Sequence, residues 1–497
     1  MVAGAALPRR HALAASYIAG VIFFAASIWW VCYATIIGYA AAVLFLGLFW
    51  MLFVAGFRTL LLAGPVTALL AVPALWVFLE KIRSHIFGGF PWFFAAHPLY
   101  RRLELIQIAD LTGDYGVSFW VLLVNFTIFL ILSAATARAD SRPANGADAS
   151  DPARNAAGQP ALRRAAVSAV ALSALLTAGI FAYGKARLAR LPETPVLKIL
   201  AVQGNIPQRL KEITGLSEAD QMKNVWHILQ TYQRLTVEGL AAPGAADARL
   251  VVWPETMVTY PVSIGREIRL FLQRDVAQRA KRPFLFGCLH AWVDAANRTK
   301  ICNSACLMSP SGEILARYDK IHLVLFSEYL PLKNTMKFLA ALVPENFGSL
   351  TPGARNVLFE VAGLRFGVAV CYEDTMAGRI RSIRAAGADF ALNVTNDAWF
   401  RQSEELEQHL AISVFRAVES RMGIVRDGNT GLTASIAPTG RIMQTAPRDT
   451  PCATILQAYG PAPLSFHVRY GDLFAWACLI FASASLLATY VRARRMP

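Results

Sequence analysis

Residues 12–56 form an almost unbroken apolar run of 45 residues. At about 1.5 Å per helical residue, such a run is about twice as long as one bilayer crossing requires. It predicts two helices, about 12–33 and 36–56. Four further runs follow: about 59–79, then 116–135 (GVSFWVLLVNFTIFLILSAA), 165–184 (AAVSAVALSALLTAGIFAYG) and about 472–491. The count is five spans near the front and one near the end. Composition agrees, since 55% hydrophobic and 16% charged residues, with a mean hydropathy of +0.42, are too apolar for a chain that meets only water. The first span leads at once into another, with no small-residue cleavage site and soluble domain after it, so it reads as an anchor and not a cleavable signal.

The formal charge of +15 and pI near 9.7 do not imply nucleic acid, because the basic residues form no stripe with interleaved aromatics. Many of them flank spans: Arg9, Arg10 and His11 before the first, Arg163 and Arg164 before the fifth, and Arg492, Arg494 and Arg495 after the last. Orientation-setting charges occupy such places on the cytoplasmic side. With the N-terminus inside, five crossings carry residues 185–470 to the opposite face. The connector at 136–164, rich in Ala, Asp, Pro and Gly, lacks large apolar residues and reads as disordered. Seven cysteines, with no CxxC, do not make a pure disulfide framework. Cys302 and Cys306 have no matching His/Cys pair for zinc and read as small buried thiols.

From Pro195 the pattern changes to short β-type runs, VLKILAVQG, ARLVVWPE, RPFLFGCL, ACLMSP, LRFGVAVCYE and ADFALNVTND, alternating with helical stretches such as 218–240 and 265–280. This predicts a layered α/β domain with strands buried on both faces. Three strands end in reactive polar residues: Glu255, Cys371 and the pair Asn396–Asp397. Ligand sites gather at strand ends in such sheets. A thiol to attack a carbonyl, a carboxylate to move its proton and an ammonium to hold the oxyanion make a nucleophilic set. Taken singly, each has a plainer reading, the Glu or Lys as a solvated surface group and the Cys as core.

WPET at 253–256, YDKIHLVLFSEYLP at 318–331 and VCYED at 370–374 resemble, in that order, the Glu, Lys and Cys blocks of the carbon–nitrogen hydrolase (nitrilase) superfamily. VQGNIPQ at 202–208, NVTNDAWF at 393–400, RAVESRMGIVRDGNTGLTASIAPTG at 416–440, GGFPW at 88–92 and IQIADLTGDYGVSF at 106–119 are similar to its membrane branch, the apolipoprotein N-acyltransferases. The resemblance spans about residues 15–490. It implies an N-terminal polytopic α-helical membrane domain (1–190), a nitrilase-like α-β-β-α sandwich (196–460) and a C-terminal transmembrane helix (472–491). It also implies acyl transfer from a phospholipid donor, through a thioester on Cys371, to the N-terminal amine of a diacylated lipoprotein. Glu255 would be the general base and Lys320 the oxyanion group, supported by Glu328, Glu373, Tyr372 and Asn303. The setting would be the bacterial inner membrane, with the catalytic domain in the periplasm and membrane lipid around it. The chemistry calls for no metal or organic cofactor, and no nucleic-acid partner is implied. Glu328, Glu373, Tyr372 and Asn303 also have structural readings as a surface acid, local packing and a turn residue. Glu80 and Arg83, at the end of the third span, resemble the family's membrane-side motif and also suit a membrane interface.

The chain departs from the family in having about two fewer N-terminal spans. Lys211–Glu212 stands where Lys-Trp is usual, putting a charge in place of a large apolar contact, Leu325 and Ser327 replace the Pro and Gly of HLVPFGE, and Arg401 replaces the Gly after NDAWF. These changes bear on loops over the site. They keep two alternatives open: a nitrilase-like membrane acyltransferase or amidase with another acceptor, of the conjugal-transfer-associated type, and a non-catalytic membrane interaction protein.

Overall fold

The computed structural model describes the chain apart from residues 2–3, 6, 140–151, 212–214, 325–326, 330–349 and 496–497. It divides into two units, Met1–His85 with Phe93–Ala189 and Asp472–Pro497, and Ile86–Trp92 with Arg190–Gly471.

The first unit is helical: α1 (Arg9–Ser27), α2 (Ile36–Leu61), α3 (Pro65–Arg83), α4 (Asp114–Ala139), α5 (Pro152–Arg190) and a C-terminal helix, Leu473–Arg495. Among the described residues, six helices are long and apolar enough to cross a membrane. Their ends differ from the hydropathy reading for local reasons. The helix expected to reach residue 33 stops at Ser27 and gives way to a 3₁₀ turn, Trp29–Tyr33, because Thr35 caps α2 by accepting the Gly38 amide at 3.1 Å. The third span starts at Pro65 and not near 59, since Gly64 at φ +89° breaks the chain and Pro65 suits a first helical turn. Residues 152–164, expected to be disordered connector, are helical and extend α5; this stretch is rich in alanine and arginine, both good helix formers. The rest of the connector interior, 140–151, lies outside the described residues.

Phe49, Phe53, Phe57, Ala68, Ala71, Leu75, Phe126 and Phe129 form the interior of this bundle, with the rings of Phe57 and Phe129 edge to face at 5.3 Å. Its outer faces carry exposed Ile18, Ile22, Leu44, Leu52, Leu175, Ile480 and Leu487, apolar surface that lipid covers without cost. Lys81 of α3 makes an ion pair with Asp472 before the last helix and stands over the rings of Tyr115 (5.6 Å) and Trp476 (5.3 Å). This pair joins the two ends of the unit.

The second unit contains two six-stranded sheets, ordered β12-β1-β2-β3-β4-β5 and β11-β10-β9-β8-β7-β6. The first six strands are β1 (Pro195–Gln203), β2 (Ala248–Val258), β3 (Phe284–Val293), β4 (Thr299–Met308), β5 (Ile314–Asp319) and β6 (Leu358–Val361); the others are β7 (Leu364–Val370), β8 (Phe390–Thr395), β9 (Gly423–Gly428), β10 (Ala434–Ile436), β11 (Ile442–Thr445) and β12 (Cys452–Tyr459). The central strands β1–β3 and β7–β9 run parallel, and the flanking pairs are antiparallel.

Strand alternation sorts the side chains. On β1, Leu197, Ile199 and Ala201 point into the layer between the sheets with Val252, Leu285, Phe366, Val368, Phe390 and Leu392. Leu200 and Val202 point the other way, onto Val225, Ile228, Leu229 and Tyr232 of α6 (Glu218–Ala241). The outer face of the second sheet is covered by α7 (Ala377–Ala385) and α8 (Glu405–Ser420), through residues such as Ile380, Ile383, Leu410 and Val414. The layers are therefore helix, sheet, sheet, helix.

Candidate active site

The loops beyond the C-terminal ends of the parallel strands converge on one place. Glu255 lies on β2 where that strand bulges: Trp253 faces Phe286 and Val258 faces Cys288, so five residue steps on β2 oppose two on β3. Gly287 makes room for the bulge, since a Cβ there would lie 2.3 Å from the Pro254 carbonyl oxygen and 2.6 Å from Glu255 Cα. Thr256, next in the chain, sits at φ +51°. Lys320 follows β5 directly. Cys371 follows β7 at φ +52°, opening a 3₁₀ turn, Cys371–Thr375. A left-handed non-glycine residue costs ~1–3 kcal/mol and persists only where its surroundings over-determine it. Here Asn393 Nδ2 donates to the Cys371 carbonyl at 2.9 Å and to that of Ala369 at 3.2 Å.

Lys320 Nζ lies 3.3 Å from Glu255 Oε1 and 2.8 Å from Glu328 Oε2. Asn303 Nδ2 bridges the same two carboxylates, donating to Glu255 at 2.7 Å and to Glu328 at 3.0 Å. The amide of Asn396, at the end of β8, donates to the other Glu255 oxygen at 3.1 Å, and the Val324 amide donates to Glu328 at 2.9 Å. Lys320 and Glu255 are almost wholly buried, at 1% and 6% exposure, while Cys371 keeps partial access. Burial alone would lower the Lys320 pKa, but the charges of Glu328 and Glu255 outweigh it and hold the pKa well above the usual value. The Cys371 thiol is pushed well up by burial and by the Glu255 charge, with Lys320 acting against both. The resting sulfur is a thiol beside a carboxylate and an ammonium.

Glu373 ties the nucleophile turn to the lysine strand. Fully buried, it accepts from Tyr318 Oη (2.7 Å), from the amides of Ile321 (2.8 Å) and His322 (3.0 Å), and from the Val370 amide (2.9 Å). Burial disfavours its charge, but the hydrogen bonds involving His322 and Val370, with Arg379, hold its pKa at about 2. Tyr372 Oη donates to the Gly89 carbonyl at 2.8 Å and its ring stacks on Trp92 at 6.1 Å, while Trp92 Nε1 donates to Gln408 Oε1 at 2.8 Å. The GGFPW segment thus straps the turn that carries Cys371. Asn429 joins two further loops, donating to the Asn396 side chain (2.8 Å) and accepting from the Ile206 amide (2.9 Å).

A buried charged network lies beneath Asn396. Asp397, Glu405 and His409 offer ligand atoms within 4.8 Å of one another, a donor set of the kind that holds metal ions. An internal cation already sits among these groups: Arg426 Nη2 is 2.7 Å from both Asp397 Oδ2 and His409 Nδ1, and Nη1 is 3.3 Å from Asp374. Burial and the Asp397 charge push Glu405 up to about 7.

Of the residues singled out in the sequence, Glu255, Lys320, Glu328 and Asn303 are joined by direct contacts, and Cys371 lies within reach of the charges of the first two. Glu80 and Arg83 belong to the helical unit. They are buried at 2% and 4% exposure, and line a cavity of about 210 Å³ with Phe23, Trp50, Trp76 and Phe93. Glu80 accepts from Trp76 Nε1 and the Ala95 amide, both at 2.8 Å. Arg401 occupies φ +54°, ψ −143°, a region nearly reserved for glycine, so the family's missing Gly leaves a strained backbone. Ser327 sits in a turn, its amide 3.3 Å from the Val324 carbonyl, whereas Glu212 and Leu325 lie outside the described residues. Lys211, which the sequence offers only as the lysine of the Lys211–Glu212 pair and not as a site residue, donates from Nζ to Thr256 Oγ1 at 2.6 Å and to the Glu255 carbonyl at 3.4 Å. Its one signal was its place just after VQGNIPQ.

Two family models match the chain: Apolipoprotein N-acyltransferase N-terminal domain over residues 2–127 and Carbon-nitrogen hydrolase over residues 199–458. The chain is 35% identical over 425 residues to the apolipoprotein N-acyltransferase of Geobacter metallireducens, covering 85% of this chain and 74% of that one. It is 29% identical over 437 residues to the apolipoprotein N-acyltransferase of Bradyrhizobium diazoefficiens, with 86% and 74% covered.

Proposed function

Because the chain belongs to the apolipoprotein N-acyltransferase family and carries its carbon–nitrogen hydrolase domain, we propose that it moves an acyl chain from a phospholipid to the N-terminal amine of diacylglyceryl-cysteine lipoproteins, through a thioester on Cys371. The observation that carries this reading is the Lys320 ammonium held between Glu255 (3.3 Å) and Glu328 (2.8 Å) beside the Cys371 turn. An ammonium has three donors, and two carboxylates take two of them. Among the described residues the third meets no other carboxylate, and it is the donor proposed to meet the oxyanion.

In the first half-reaction Glu255 takes the Cys371 proton as sulfur attacks the ester carbonyl. The C–O bond then breaks, and Glu255 returns the proton to the departing lysophospholipid oxygen. In the second, the lipoprotein amine attacks the thioester carbonyl and gives a proton to Glu255. The C–S bond breaks, and the thiol is restored. Glu328 and Asn303 keep Lys320 and Glu255 in register, and Glu373 and Tyr372 hold the nucleophile turn. The basic flanks of the spans support a cytoplasmic-membrane setting with residues 190–471 on the periplasmic face.

Intact-mass analysis tests the reading. Purified protein incubated with phospholipid gains the mass of one acyl chain, loses it to a diacylated lipopeptide, and gains nothing as Cys371→Ala. An adduct that persists despite the lipopeptide points to another acceptor, and no adduct in the wild type rejects the thioester.

A further inference from the structure

The site described so far has two carboxylates, Glu255 and Glu328, and one ammonium, Lys320. When Cys371 gives up its proton the sulfur adds another negative charge, in surroundings where burial already penalises it. Asp397 also raises the Cys371 thiol, although it is paired with Arg426 at 2.7 Å. One more cation faces this group. Lys211 leaves the 3₁₀ turn Gln208–Leu210 that follows β1, and its Nζ reaches Thr256 Oγ1 at 2.6 Å and the Glu255 carbonyl at 3.4 Å. Its surroundings include Glu255 and Cys371, both of which act on its charge.

We propose that Lys211 is a positioning residue that pins the strained Glu255–Thr256 bulge through its two oxygen contacts and brings a second positive charge to the surroundings in which Cys371 ionises. The role rests on the acyl-transfer reading only for its purpose; the geometry stands without it. Lys211 differs from Lys320 in its partners. Lys320 is gripped by two carboxylates, whereas Lys211 bonds a hydroxyl and a carbonyl. Burial lowers its pKa to about 8, with Glu255 and Cys371 opposing the drop. A lysine in that state loses its charge as pH rises through about 8, and with it the support it gives the sulfur. Among the described residues, the other titratable and charged groups around this space are Glu255, Glu328, Lys320, Cys371 and Asp397. An arginine at position 211 would keep its charge across that range.

Alkylation of Cys371 by iodoacetamide, followed peptide by peptide by mass spectrometry in the full-length detergent-solubilised protein, reads the thiolate without any acyl donor. Lys211→Met is expected to slow alkylation of Cys371 roughly tenfold at pH 7.5. Lys211→Arg is expected to restore it and to hold acyl transfer steady above pH 8, where the wild type falls. Unchanged alkylation in Lys211→Met overturns the proposal. So does equal loss in both variants together with a lowered thermal midpoint, which would mark Lys211 as a packing residue. A wild type that alkylates at Cys371 yet transfers no acyl chain rejects the acyltransferase reading and leaves this one standing.

Discussion

Asp427 lies fully buried on β9, and among the described residues neither carboxylate oxygen meets a side-chain donor. Burial lifts its pKa well above the usual range, with the Val202 amide only partly opposing it. In the unfolded chain the same group ionises near ~3.9. A folded pKa above the unfolded one means that its contribution to stability is complete below about pH 4 and is lost as pH rises toward the folded value. Asp427→Asn has the shape of the protonated acid and escapes that loss. Its thermal midpoint in detergent should exceed the wild type's at pH 7 by about 2–4 °C, the shift that ~1 kcal/mol makes in a domain of this size, and the gap should close near pH 4. A constant gap at both values would mean that Asp427 does not titrate between them. The sequence marks Asp427 only as part of a block, because its isolation is made by residues far along the chain. The grouping of Glu255, Lys320 and Cys371 was legible from the WPET, YDKIHLVLFSEYLP and VCYED blocks taken together, since the strand ends by themselves offered Glu255, Cys371 and Asn396–Asp397 but not Lys320. The contacts of Lys211 were not, since they depend on a bulge in β2 that no residue pattern around 255 announces.

At the scale of elements, the long apolar strands β1, β2, β3, β7 and β8 were legible from composition. β9 was not, because GIVRDG puts Arg426 and Asp427 in a buried strand, and Arg426 is tolerated through partners on other elements, Asp374 (3.3 Å), Asp397 (2.7 Å) and Asn393 Oδ1 (3.0 Å). The short strands β10 and β11, of three and four residues, are below the length at which alternation can be read. The GGFPW segment gave a family signature with no indication of its target. It rests on the nucleophile turn through the Trp92–Tyr372 stack, the Tyr372–Gly89 hydrogen bond and the Trp92–Gln408 hydrogen bond. An aromatic pair adds ~0.5–1.5 kcal/mol beyond its burial, and a net hydrogen bond adds ~1 kcal/mol. Trp92→Ala should therefore loosen the turn at 371–376 before it unfolds the unit. Hydrogen–deuterium exchange should rise in the peptide holding 371–376 and stay unchanged in β1 and β2. Exchange rising everywhere would make Trp92 a general stabiliser, and no rise at 371–376 would show that the strap does not restrain the turn.

For the whole chain, parity and charge decide the arrangement in the membrane. Among the described residues, five helices before residue 190 and one after residue 471 are long and apolar enough to cross, and in the arrangement proposed above all six do, which puts both ends on one side and residues 190–471 on the other. Hydropathy carried that count because lipid allows only helices whose backbone groups bond internally, which makes each span a local, self-contained signal. The span ends were less legible, since Thr35, Gly64 and the helix-forming residues of 152–164 act through capping and propensity that a hydropathy window averages away. The orientation rests on Arg9, Arg10, Arg163, Arg164, Arg492, Arg494 and Arg495, which flank the ends proposed to be cytoplasmic. Paired fusions test it. Alkaline phosphatase placed after Arg190 should be active and green fluorescent protein there dark, whereas after Arg495 the phosphatase should be inactive and the fluorescent protein bright. The reverse pattern would place residues 190–471 in the cytoplasm, out of reach of a periplasmic lipoprotein amine. Equal behaviour at the two sites would show that the last helix does not cross, and would leave the Lys81–Asp472 pair joining helices of which only one spans the bilayer.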